Sequence, residues 1–150
     1  MRKIVVAAAI LASVAGAALA QTRVLDVSQL EWQDRPGDTF ARRYPEAAQS
    51  RMLSGAAVVC CAVNARRRLD CETAFEWPVG YGFGDATIAV MEEHRLTQAS
   101  YDRLMASPER DLPLRRMMRW VLPDHITPET STAIDRISAA SQNMCGAPVS

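Results

Sequence analysis

Two adjacent cysteines, Cys60 and Cys61, lie inside the β-type run Val58-Val59-Cys60-Cys61-Ala62-Val63. They constrain the fold more than any other feature of this 150-residue chain. Consecutive residues of a strand point to opposite faces of a sheet. If both sulfurs are bonded, the sheet is stapled on each side. Two further cysteines, Cys71 and Cys145, complete the set, and four cysteines allow three connectivities. Residues 69–75 read as a return strand. Setting Cys61 opposite Cys71 also sets Val63 opposite Leu69 on one side, whereas Cys60 opposite Cys71 sets Val63 opposite Arg68, a poorer match. The expected element is therefore a hairpin closing around residues 64–68, with a Cys61–Cys71 cross-strand bridge. Cys60 then faces the other way. It is expected to meet Cys145 near the C-terminus, with a buried free thiol as the alternative.

The case for disulfides rather than metal rests on the N-terminus. Arg2 and Lys3 precede an uncharged run over residues 4–20 that ends Ala18-Leu19-Ala20 before Gln21. This reads as a secretory signal peptide, residues 1–20, cut after Ala20, with a retained anchor as the alternative. A small exported domain with an even number of cysteines favours disulfides. No Cys-x-x-Cys pair is present, and His94 and His125 stand apart, so no metal is expected. Without the leader the chain carries 15 basic and 17 acidic side chains. That balance gives no basic field for nucleic acid. No later segment is apolar for long enough to span a membrane. The expected location is periplasmic or secreted.

Residues 21–40 read as an extended lead-in with a turn at Arg35-Pro36-Gly37-Asp38, and Asp38 is placed to cap a short turn through Thr39, Phe40 and Ala41. A helix is expected over 45–53, opened by Pro45 with Glu46 in its first turn and stopped before Gly55. The hairpin covers 56–75 and a glycine-spaced loop 77–84. A second helix runs from Asp85 to about His94 or Leu96, and a short one lies within 97–108. Met118, Trp120 and Leu122 alternate with Arg119 and Val121, so the second half of 112–122 reads as a third strand, with a helix as the alternative. Thr127 caps a last helix with Pro128 at its first position. The expected class is α+β: a small antiparallel sheet of about three strands packed on two helices, with an additional C-terminal helix. Residues 41–123 form the domain and 124–150 the extension.

The chemistry is sparse. No nucleophile, base and acid form a recognisable set. Glu92 and Glu93 are adjacent on a helix and diverge. The Gly80-x-Gly82-x-Gly84 run lacks the Lys-Ser/Thr of a phosphate loop. Neither a catalytic residue nor a cofactor is expected. Arg66, Arg67 and Arg68 make a basic hairpin tip, which is first a solvated surface and second a docking patch for an acidic partner.

Tyr44-Pro45-Glu46-Ala47, Gly55, Cys61-Ala62-Val63, Leu69, Cys71, Glu76-x-Pro78-x-Gly80-x-Gly82-Phe83-Gly84 and Ala86 together resemble the TonB C-terminal domain family. The chain looks most like an exported variant with a hairpin cysteine pair. The similarity covers about residues 40–96, with a weaker echo in 112–123. It implies a small α+β domain, a Cys61–Cys71 bridge, and Phe83 and Ala86 packing a helix on the sheet. It also implies capture of a receptor peptide by addition to a sheet edge, here the segment Met118, Arg119, Trp120, Val121 and Leu122. The chain departs from the family in its cleavable leader, its short lead-in and its extra C-terminal helix. Arg67 stands where the family usually has glycine, and one residue is missing between Leu69 and Cys71.

The function expected is that of an exported, non-enzymatic protein. It would bind a peptide or protein partner through the sheet edge, an outer-membrane protein among the candidates. Homodimerisation by strand pairing is a further route. Two alternatives stand beside it: an energy-transducing transport component of TonB type held by an uncleaved leader, and a small periplasmic enzyme whose site forms only in three dimensions.

Overall fold

The computed structural model of the chain describes residues 23–34 and 39–146. The leader, its cleavage site and the turn at 35–38, including the capping role expected of Asp38, lie outside the described residues. The hairpin consists of β3 (Gly55–Val63) and β4 (Leu69–Trp77), in the register the cysteine spacing predicts: Cys61 faces Cys71 and Val63 faces Leu69. At its tip the Asn64 side chain accepts hydrogen bonds from the backbone N–H groups of Arg66 (2.9 Å) and Arg68 (3.1 Å). Arg67 takes the left-handed conformation with φ of 64°, one that glycine adopts at least cost. Phe75 faces Val58 but Thr73 faces Val59, so Ala74 is an extra residue in β4 and bulges it.

The rest of the sheet is larger than expected. β6 (Leu114–Trp120) runs antiparallel to β3, from Gly55 opposite Trp120 to Cys61 opposite Leu114. β1 (Leu25–Asp26) adds parallel to β6, and the order is β1-β6-β3-β4. β2 (Trp32–Asp34) and β5 (Arg95–Leu96) form a separate antiparallel pair. The lead-in thus supplies strands of its own rather than leading up to the domain. The third strand is a strand, not a helix, but it starts at Leu114 and stops at Trp120, so Val121 and Leu122 lie beyond it. Two consecutive arginines hide its first half. Arg116 shares a face with the buried Leu114, while Arg115 turns to the opposite face and binds Asp26 at 2.8 Å.

α1 (Thr39–Arg42) and α2 (Glu46–Gln49) are short. The helix expected over 45–53 is cut to four residues by Met52 rather than by Gly55. Met52 takes φ of 52°, its N–H bonds Gln49 O, and the Leu53 N–H bonds Ala48 O. This is a left-handed helix stop formed without glycine. α3 (Phe83–Glu92) starts two residues before Asp85. Gly82, at φ of 79°, turns the chain into it, and the Glu76 carboxylate accepts from the N–H groups of Gly80 (2.7 Å) and Gly84 (2.8 Å). α4 (Gln98–Ala106) is capped by Thr97 and α5 (Pro128–Ala140) by Thr127, each hydroxyl accepting a backbone N–H three residues on.

The sheet lies between two helical layers. Ala57 packs with Phe83, Ala86, Val90 and Trp120 on the α3 side, where Val59 and Cys61 join Leu69, Met91, Leu96 and Leu114. Ala56 and Val58 pack with Ile134 and Ile137 of α5 on the other side. Residues 55–61 of β3 are therefore all buried, as a strand covered on both faces must be. Each fully buried Ile, Leu or Phe stabilises by about 1.5–3 kcal/mol. Cys61 is bonded to Cys71, with an S–S distance of 2.00 Å, on the α3 side. Cys60 is bonded to Cys145 at 2.13 Å on the α5 side, which overturns the free-thiol alternative.

Candidate functional site

The backbone of β6 has two sides. The Leu25 N–H donates to Pro113 O at 3.0 Å, so position 113 turns its polar groups toward β1. Alternation then turns those of Arg115, Met117 and Arg119 the same way, and those of 114, 116, 118 and 120 toward β3. Leu122 fits this parity, its N–H reaching Ser54 Oγ beside β3 at 2.9 Å. β1 covers only Leu114 and Arg115, because the chain turns into a 3-10 helix at Val27–Gln29. Among the described residues, no strand pairs with the outer side of Met117 to Trp120. α5 covers a face of the sheet there, not this edge.

The five expected edge residues behave differently. Met118 packs into the clusters on the α3 side. Arg119 is exposed and pairs with Asp135 at 2.9 Å. The Trp120 side chain is buried in the core, where its indole N–H donates to Thr87 Oγ1 at 2.9 Å, so it is no contact residue for a partner. Val121 packs against the α5 cluster. Leu122 lies past the strand end. What the edge offers is thus backbone, with Arg119 alone giving an exposed side chain.

The other edge strand, β4, is longer but blunted. Its bulge interrupts the ladder, and Asp70 and Glu72 are exposed along it. The basic tip is partly spent on structure. Arg67 donates to Leu96 O at 3.0 Å and Gln33 Oε1 at 3.3 Å, and Arg68 donates to Glu92 O at 3.0 Å. Only Arg66 projects from the tip without such a tie among the described residues.

Two cavities flank β6. The larger, about 680 Å³, includes Arg23, Asp26, Glu109 and Arg115. Its charges pair with one another, Arg23 with Glu109 at 2.7 Å and Arg115 with Asp26 at 2.8 Å. Burial raises the Asp26 pKa, but hydrogen bonds from Ser28 and the Arg115 guanidinium outweigh it, and the net shift is downward. The smaller cavity, about 260 Å³, is lined by Val27, Ser28, Trp32, His94 and Arg116. No sequence pattern announced it, because it depends on the lead-in folding back beside β6. His94 bonds Val90 O through Nδ1 at 2.7 Å and meets Trp32 edge-on at 5.3 Å. His125 is exposed far along the chain, at the end of a single 3-10 turn.

Among the described residues, no three His, Cys, Asp or Glu side chains gather as a metal site would require. No helix there is long and apolar enough to cross a membrane. The two disulfides fit a chain that matures in an oxidising compartment. No protein-family model, curated protein or solved structure matches the chain.

Proposed function

We propose that this chain is an exported, periplasmic, non-enzymatic binding module with a TonB C-terminal-like domain. It captures an extended segment of a protein partner by adding it as a strand beside β6. The observation that carries this reading is the outward-facing backbone of Met117 and Arg119, left without a strand among the described residues. Main-chain hydrogen bonds give such additions their affinity, and neighbouring pockets give them selectivity. The disulfides support export, and the signal-like leader supports the periplasm. An outer-membrane protein remains the partner favoured by the family resemblance.

The test is cross-linking in intact cells with tagged wild type, Arg119→Ala and Arg119→Pro, read by mass spectrometry that also reports the N-terminus. Proline removes one outward N–H and no bond to β3. The reading expects a chain starting at Gln21 and one partner recovered with wild type and the alanine variant but lost with proline. Recovery of that partner with a folded Arg119→Pro variant, or an uncleaved chain held with inner-membrane proteins, overturns it.

A further inference from the structure

Arg116 stands out among the charged side chains near β6. Like that of Arg115, its Nε is buried without a hydrogen-bond partner, but whereas Arg115 pairs with Asp26, no ion pair of the described residues reaches Arg116. Asp26, the carboxylate that β1 places beside β6, is engaged with Arg115. A half-buried guanidinium with no counter-charge is costly, and a carboxylate satisfies it best because two parallel N–H···O bonds match its fork. The cavity that Arg116 lines has room for a carboxylate-bearing side chain and not for a large ligand. About 260 Å³ lies below the roughly 300–1,000 Å³ of sites for drug-sized ligands. Ser28, whose side chain bonds Asp26, is part of its lining. Trp32 supplies an aromatic wall, held by its indole N–H on Val27 O at 3.3 Å.

The cavity also adjoins the open edge. Arg116 is the residue just before the uncovered stretch, and its side chain lies on the same face as Met118. A strand added beside β6 would place the side chain opposite Met118 on that face. It would sit one diagonal step from Arg116, about 7–8 Å between Cα atoms, within reach of two long side chains. We infer that the Arg116 cavity seats a carboxylate carried by a segment added beside Met117–Trp120, so the module selects an acidic residue at one position. This inference rests on the edge-binding reading above.

Two probes separate the possibilities: free glutarate, and a displayed library of random heptapeptides. Both are applied to the disulfide-bonded mature chain as wild type, Arg116→Met, Arg116→Lys and Arg119→Pro, each checked for native tryptophan NMR signals. The expected result is at least a fivefold enrichment of Asp or Glu at one position of the wild-type pool. That enrichment should vanish with Arg116→Met and be partly kept by Arg116→Lys, and selection itself should fail on Arg119→Pro. Peptides selected without acidic enrichment, yet lost with Arg119→Pro, overturn the cavity inference and leave the edge reading standing. A glutarate-induced shift of the Trp32 indole signal with no peptides selected assigns the cavity to a small free carboxylate and overturns the edge-linked form. No response to either probe overturns both.

Discussion

Cys60 and Cys61 are neighbours in the chain, yet their sulfurs are bonded on opposite faces of the sheet. Cys61 closes a hairpin of sequence separation 10, and Cys60 closes a loop of separation 85. The second bond ties the segment after α5 to the central strand. It fixes the layer that buries Ala56 and Val58 beneath Ile134 and Ile137.

The two bridges should contribute unequally. On the chain-entropy model the long loop is worth about 4–5 kcal/mol and the short one about 2.5–3 kcal/mol. Urea unfolding of Cys60→Ala/Cys145→Ala and Cys61→Ala/Cys71→Ala should show the first pair losing more. The opposite order would mean that local packing of Cys61 in the α3-side core sets the effect, not loop closure.

Much of this architecture is legible in the residues because it is local. The register of β3 and β4 follows from cysteine spacing, and the start of α5 follows from the Thr127 cap. The errors come from tertiary context. Leu25 and Asp26 form a strand only because β6 lies beside them, and two residues carry no periodic signal. Arg115 and Arg116 interrupt the apolar alternation, so the first half of β6 carries no strand period of its own. The helix stop at Met52 was hidden because a non-glycine residue takes φ of 52° there. The segment expected to form the edge, residues 118–122, overlaps β6 at Met118 to Trp120. Its chemistry was misread at Trp120, since alternation cannot separate a core tryptophan from one that meets a partner.

Trp120 and Thr87 form a fully buried polar pair, and Thr87 also donates to Phe83 O at 2.7 Å. Thr87→Val keeps the shape but removes the acceptor of the indole N–H. The expected cost is about 1–3 kcal/mol, the penalty for a buried unsatisfied donor. In a double-mutant cycle, Trp120→Phe should cost less in the Thr87→Val background than in wild type, because the donor and acceptor are lost together. Strict additivity in chemical denaturation would show that the hydrogen bond contributes nothing.

Gly55 opens β3 where no side chain fits. A Cβ there would stand 2.7 Å from Phe83 Cδ2 and against the Trp77 carbonyl oxygen. Gly55→Ala should destabilise by about 1–3 kcal/mol or more through overpacking of a closed core. Gly80→Ala meets nothing within 4 Å and carries only the strain of φ of 83°, about 1–2 kcal/mol. Thermal melts of both variants should rank Gly55→Ala as the more damaging. Equal melting temperatures would mean that β3 and α3 separate at little cost.

Asp26 links the lead-in to the sheet, and its ionisation should be visible in the acid limb of stability. Burial opposes its charge, but hydrogen bonds from Ser28 and the Arg115 partner prevail and hold its pKa below the ordinary carboxylate value of 3.8. A carboxylate depressed in the folded state contributes stability above its unfolded pKa, and that contribution is lost as pH falls through the folded value. Wild type should therefore lose stability steadily from about pH 4 downward. Asp26→Asn should be less stable at pH 7 yet show a flatter acid limb, the two curves converging as pH falls. Denaturation midpoints measured from pH 7 to pH 2 test this. Parallel curves would mean that Asp26 titrates alike in both states and that its contact with Arg115 carries no net energy.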